Sequence, residues 1–273
     1  MMRLALVQTH PILGDKAANL KAMARATESL EADLFCFPEL CTTGYTMAER
    51  DQILNLAEEP DKGEGLEFFR GLSESKNAAV VAGFPLRDGA RLFNASVLLR
   101  PGEEAVFYRK LHLFAREKQV FDAGDRPPPI TEFRGWRLGM MICFDWVFPE
   151  VVRLMALEGV DLVLHPSNLV TPYCQKSMFA RAVENAVYIA TVNRVGAESY
   201  PDGPSLDFTG ASQLMGHRGD LLLALPAGEV AAAVVDFDPK LARDKWLTDH
   251  NHLLDDRRVE FFGPLAQDGK LGR

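Results

Sequence analysis

The chain alternates short apolar runs with stretches whose apolar residues recur at helical spacing, which predicts a fold built from both strands and helices. Residues 4–8 form the first apolar run and read as a strand. Over residues 17–30, Leu20, Met23, Ala24 and Leu30 recur at helical intervals behind Asp15, a candidate N-cap. Residues 34–37 read as a short buried strand stopped by Pro38, 67–76 as a helix and 79–84 as a strand. Runs over 92–99 and 105–110 flank Pro101-Gly102, a hairpin signal. In the second half, strands are predicted over 136–142, 161–164, 188–194, 212–215, 221–225 and 230–237. Helices are predicted there over 149–158 and 175–187.

Two of these runs, Val-Val-Ala-Gly-Phe over 80–84 and Leu-Gly-Met-Met-Ile-Cys over 138–143, are apolar nearly throughout. Strands of that kind are covered on both faces, so sheets lie inside and helices outside. The hairpin makes the sheets mixed rather than purely parallel, and the class is α/β. No short repeat, low-complexity stretch or linker divides the sequence, and Pro127-Pro128-Pro129 reads as a loop entry. The expectation is one domain over residues 1–266, followed by a polar tail over 267–273.

Composition narrows the function classes. Thirty Lys and Arg face 38 Asp and Glu, for a net charge of −8. Binding nucleic-acid phosphates needs clustered positive charge, so a broad nucleic-acid surface is not expected. A small, locally positive site is still allowed. Cys36, Cys41, Cys143 and Cys174 form no C-x-x-C pair, which suggests neither a zinc knuckle nor a redox dithiol. Their scatter fits reduced thiols in a cytoplasmic protein. The apolar N-terminal run reaches polar residues by Gln8, too short for a signal sequence or a membrane span.

Three segments put a reactive side chain directly after an apolar run. In Phe35-Cys36-Phe37-Pro38-Glu39-Leu40, Glu39 lies past a strand end, at the rim where α/β active sites are built. Burial there raises a carboxylate pKa and suits it to general-base work, although an isolated acid at such a place also serves as a helix cap. In Met140-Met141-Ile142-Cys143-Phe144-Asp145, Cys143 stands at a strand-to-helix elbow. The positive helix end there should lower its thiol pKa, and the backbone N–H groups could hold an oxyanion. The alternative is an inert buried cysteine. In Phe107-Tyr108-Arg109-Lys110-Leu111-His112, the Lys110 ammonium needs a partner if buried, and Glu39 or Glu117 could supply it. Otherwise the segment is a basic edge strand that resists aggregation.

Taken together, F-P-E-L, then Y-R-K-L-H-L-F with Glu117, then I-C-F-D-W-V-F-P-E resemble the glutamate, lysine and cysteine signatures of the nitrilase (carbon–nitrogen hydrolase) superfamily. The resemblance extends through Thr43-Gly44-Tyr45, Phe93-Asn94-Ala95, His165-Pro166-Ser167-Asn168 and Arg181-Ala182-x-Glu184-Asn185, to about Phe262. It is nearest to short microbial and archaeal members carrying C-F-D-W-x-F-P-E. It implies a four-layer α-β-β-α sandwich, a homodimer or higher homo-oligomer that stacks sandwiches, and neither metal nor organic cofactor. By matching position it makes Glu39 the general base, Lys110 the oxyanion stabiliser and Cys143 the nucleophile. Glu117 would orient Lys110 and the leaving nitrogen.

The implied reaction is attack of the Cys143 sulfur on a small amide or nitrile. Lys110 and the backbone N–H of Phe144 hold the oxyanion, ammonia leaves, and water releases the acid from a thioester. Many relatives carry Arg two or three residues after C-x-D. Here the residues that follow Asp145 are Trp146, Val147 and Phe148, none of them charged, so a neutral acyl group is expected, lined by Tyr45, Trp146, Asn168 and Tyr173. An amidase and a true nitrilase use the same trio. A papain-like enzyme pairing Cys143 with His165, and a catalytically silent assembly subunit, are the readings from other classes.

Overall fold

The computed structural model describes residues 1–267; past its first residue, the tail expected over 267–273 lies outside the described residues. In chain order the first half comprises β1 (Met2–Gln8), α1 (Lys16–Thr27), β2 (Leu34–Cys36), α2 (Arg50–Leu54), α3 (Glu64–Lys76), β3 (Ala79–Asp88), β4 (Arg91–Leu99), β5 (Val106–Arg109) and α4 (Glu117–Val120). The second comprises β6 (Ile130–Phe133), β7 (Trp136–Met140), α5 (Pro149–Leu157), β8 (Leu162–Pro166), α6 (Tyr173–Val183) and β9 (Tyr188–Val192). Then follow β10 (Val195–Ser199), β11 (Ser205–Thr209), β12 (Gln213–Met215), β13 (Leu221–Ala224) and β14 (Ala231–Phe237).

Two six-stranded sheets result, in the orders β14-β1-β2-β3-β4-β5 and β13-β12-β9-β8-β7-β6. Both are mixed, as expected. β1, β2 and β3 run parallel, as do β7, β8 and β9, and the flanking pairs are antiparallel.

Alternation along β1 shows how the layers form. Leu4 and Leu6 join the core shared with Leu138 and Met140 of the other sheet. Ala5 and Val7 point the opposite way, into a cluster with Met23 of α1 and Leu66 and Phe69 of α3. The Ser96 hydroxyl of β4 reaches the Met140 sulfur across the sheet interface at 3.6 Å. On the far side α5 lies so close that a Cβ on Gly139 would be 2.5 Å from the Met155 sulfur. The order is therefore α1/α3, sheet, sheet, α5/α6, the four-layer α-β-β-α sandwich. No described helix is long and apolar enough to cross a membrane.

The apolar pattern located every strand of the two sheets except the half-exposed edge strand β6, and Asp15 caps α1 by accepting from the Ala18 N–H. It also missed the β10–β11 ribbon, where a buried charge at Glu198 and exposed positions such as Ala197 and Asp207 break any alternation. α6 runs from Tyr173 to Val183 rather than over 175–187; Ala186 beyond it has a left-handed φ of 47°. β5 ends at Arg109, so Lys110 stands one residue beyond the strand.

Candidate active site

Glu39, Lys110 and Cys143 each follow a strand: β2 and β5 of one sheet, and β7 of the other. Pro38 ends β2, and the chain then crosses β3 at Gly83. A Cβ there would be 2.5 Å from the Glu39 Cα, so only glycine leaves room for the acidic segment. The Gly83 N–H donates to the Pro38 carbonyl at 3.0 Å and the Cys41 N–H to the Gly83 carbonyl at 2.9 Å, which pins the segment on both sides.

Glu39 is completely buried. Its Oε1 accepts from Asn94 Nδ2 at 2.7 Å and from Lys110 Nζ at 2.6 Å, whereas its Oε2 has no partner. Burial holds this carboxyl above its usual range, and the Lys110 cation only partly opposes that. Lys110 Nζ also donates to Glu117 Oε1 at 2.8 Å. Burial alone would lower the lysine, but Glu117 and Glu39 outweigh it and keep the ammonium charged. One buried cation thus binds both carboxylates, which meets the pairing that burial demands.

Glu117 is fixed in turn. Its Oε1 accepts the Tyr45 hydroxyl at 2.7 Å and its Oε2 the Phe114 N–H at 3.2 Å. The loop carrying Tyr45 is held by Glu198, whose Oε2 accepts the N–H groups of Tyr45 and Thr46 at 2.8 and 2.9 Å.

Cys143 begins a single 3-10 turn, Cys143–Val147, with a φ of 41° that is unusual for a residue bearing a side chain. The α-helix starts only at Pro149. The lowered thiol pKa expected from a helix end is therefore corrected. Burial, with the Glu39 charge added, pushes the Cys143 thiol well up, against the pull of Lys110 and of the Asn168 N–H. At rest this cysteine is a thiol that needs a base.

His165 does not serve the sulfur. Its Nε2 donates to the Cys143 carbonyl at 2.9 Å and its Nδ1 accepts from the Thr191 hydroxyl at 3.0 Å. Burial lowers its pKa to about 4, so it is neutral and supports the turn from behind.

A cavity of about 350 Å³ opens beside Cys143. Phe144, Trp146, Asn168 and Tyr173 line it together with Phe114 and Val147, and no charged side chain does. Asn168 is 4% exposed, and neither polar atom of its side chain has a partner. Tyr45 is not on this wall; its hydroxyl is committed to Glu117. Asn94 and Phe114 carried no role in the sequence reading. A lone amide inside the apolar run of β4 was the signal that could have found Asn94. Among the described residues, no three His, Cys, Asp or Glu side chains are arranged as a metal site.

Residues 3–245 match the carbon–nitrogen hydrolase family. The chain is 34% identical over 265 residues to a nitrilase of Pyrococcus abyssi, covering 96% of this chain and 99% of that one. It is 34% identical over 277 residues to an (R)-stereoselective amidase of a Pseudomonas species, covering 98% and 97%. A cysteine-to-alanine mutant of the Nesterenkonia AN1 amidase, from the nitrilase superfamily, superimposes with a TM-score of 0.76 at 30% identity, covering 95% of each chain. Other structures of that amidase hold butyramide, or acrylamide added at the active-site cysteine.

Proposed function

We propose that this chain, which belongs to the carbon–nitrogen hydrolase family of the nitrilase superfamily, releases ammonia from a small uncharged amide through a thioester on Cys143. One observation carries the reading: the unpartnered, buried Oε2 of Glu39 within the Glu39–Lys110–Glu117 cluster behind a cysteine that lines an uncharged cavity.

Glu39 takes the thiol proton as the Cys143 sulfur bonds to the amide carbon. The tetrahedral oxyanion is held by the Lys110 ammonium and the Phe144 N–H. Glu39 returns its proton to the nitrogen, the C–N bond breaks and ammonia departs. Glu39 then takes a proton from water as hydroxide adds to the thioester, and breaking the C–S bond restores the thiol and yields the acid. Glu117 keeps Lys110 aimed, and Tyr45 keeps Glu117 in place. Trp146 and Tyr173 bound the acyl group, and the free amide of Asn168 is available to a polar atom of the substrate.

An uncharged wall favours neutral acyl groups over dicarboxylate ω-amides, because a buried substrate carboxylate would find no cation there. The second reading is a nitrilase, the activity named for the Pyrococcus relative, in which the first adduct is a thioimidate. Ammonia release from matched amides and nitriles, propionamide with propionitrile and butyramide with butyronitrile, separates the two. The expected result is turnover of the amides with the nitriles inert; preferred turnover of the nitriles would reverse the assignment.

We also propose that the chain works as a homodimer. Leu154 and Leu157 of α5 and Phe179 of α6 are 52%, 45% and 53% exposed, an apolar outer surface that a second copy would cover. Sedimentation should give twice the 30.3 kDa chain mass, and a monomer at micromolar concentration would retire this assembly.

A further inference from the structure

Asp145 is wholly buried two residues after Cys143, and the reaction above gives it no part. Its carboxylate joins the segment carrying Lys110 to the segment carrying Cys143. Oδ2 accepts the Ile142 N–H at 3.0 Å and the Tyr108 hydroxyl at 2.7 Å. Oδ1 accepts the His112 N–H at 3.1 Å and its Nδ1 at 2.8 Å. Tyr108 and His112 stand on either side of Lys110, and Ile142 immediately precedes Cys143. The His112 ring stacks on Phe148 with centroids 3.6 Å apart, which adds a second contact between the same two segments. The Asp145 N–H also closes the turn on the Ile142 carbonyl at 3.0 Å.

We propose that Asp145 is a positioning residue that sets Lys110 against Cys143, so that the lysine meets the oxyanion formed on the sulfur's target carbon. This rests on assigning the oxyanion to Lys110. The requirement is for a carboxylate, not merely a polar side chain. Each oxygen accepts one backbone N–H, and backbone groups cannot turn round. An asparagine must therefore set an NH2 against the N–H of either Ile142 or His112, leaving buried donors opposed. The segments then shift apart, and a displacement near 1 Å at a reacting centre costs about 100-fold in rate.

The test compares two reactions of the same sulfur. Acylation of Cys143 by p-nitrophenyl acetate passes through an oxyanion, whereas alkylation by methyl iodide displaces iodide at a saturated carbon and forms none. In folded Asp145→Asn, the acylation burst should slow about 100-fold while alkylation stays within about threefold of wild type. Tyr108→Phe removes one donor to Oδ2 and leaves every backbone bond, so it serves if the asparagine variant does not fold; it should show the same split, at about tenfold. Acylation and alkylation falling in parallel, or acylation unchanged in a folded variant, would overturn the proposal. The ester probe does not depend on the natural substrate. Inertness of the wild type toward amides would retire the amidase reading and leave the acylation-to-alkylation ratio standing as the test of Asp145.

Discussion

Glu39→Gln should lose about 10⁴-fold in kcat/KM while keeping its fold, the upper end of what a general base contributes. Glutamine preserves the shape of the site, because its carbonyl can still accept from Asn94 and Lys110 as Glu39 Oε1 does. It cannot take the Cys143 proton, and burial keeps that thiol well above the ordinary cysteine range. The sulfur then stays protonated near neutral pH. The pH profile carries the sign. A base works only when deprotonated, so activity of the wild type rises with pH through the Glu39 titration. Because burial raises that carboxyl, the acid limb lies above the ordinary 4.5. In the glutamine variant this limb should disappear. A folded variant with full activity would end the role given to Glu39 and reopen pairing of Cys143 with a histidine.

Lys110→Met should fail in two ways at once. Loss of an oxyanion donor costs about 10²- to 10³-fold in kcat. Loss of the cation also leaves Glu39 and Glu117 facing each other in the core, both of them bonded to its Nζ in the intact site. Removing one partner from a buried charge cluster costs about 3–5 kcal/mol of stability, which denaturant unfolding would read. One of the two carboxyls then keeps a proton, so the acid limb should move to still higher pH. Arginine is not a conservative replacement, since its planar fork does not fit the point occupied by the ammonium. A methionine variant with wild-type stability and kcat would show that the cation neither holds the oxyanion nor neutralises the pair.

Following an apolar run made each reactive residue a candidate, and the joint order of the three segments, with their resemblance to the carbon–nitrogen hydrolase signatures, assigned the roles. β2 is wholly buried, β7 nearly so and β5 a half-buried edge strand; Pro38, the step out of β5 and the turn after β7 put Glu39, Lys110 and Cys143 at the sheet rim. Runs apolar at both parities demand cover on both sides, which placed sheets inside and helices outside, while the four-layer sandwich followed from the resemblance. What stayed hidden depends on contacts between distant segments. Asn94 is one amide in an apolar strand until β4 is paired beside β3 and turned toward Glu39. Asp145 looks like an ordinary turn acid until the segment around Lys110 lies against it. The β10–β11 ribbon has no clean alternation, yet its Glu198 ties down the loop of Tyr45. The direction of the thiol shift was misjudged because local chain geometry suggests a helix end, whereas burial and the Glu39 charge come from the rest of the fold.

The central claim is a covalent acyl group on Cys143, with the C–N bond broken as it forms. Quenched-flow mass spectrometry of the wild-type chain mixed with butyramide tests it most directly. The account predicts a butyryl thioester on the peptide bearing Cys143, formed in step with the first equivalent of ammonia. Ammonia released in that first turnover with Cys143 unmodified throughout, or a butyryl group on any other side chain, would contradict it.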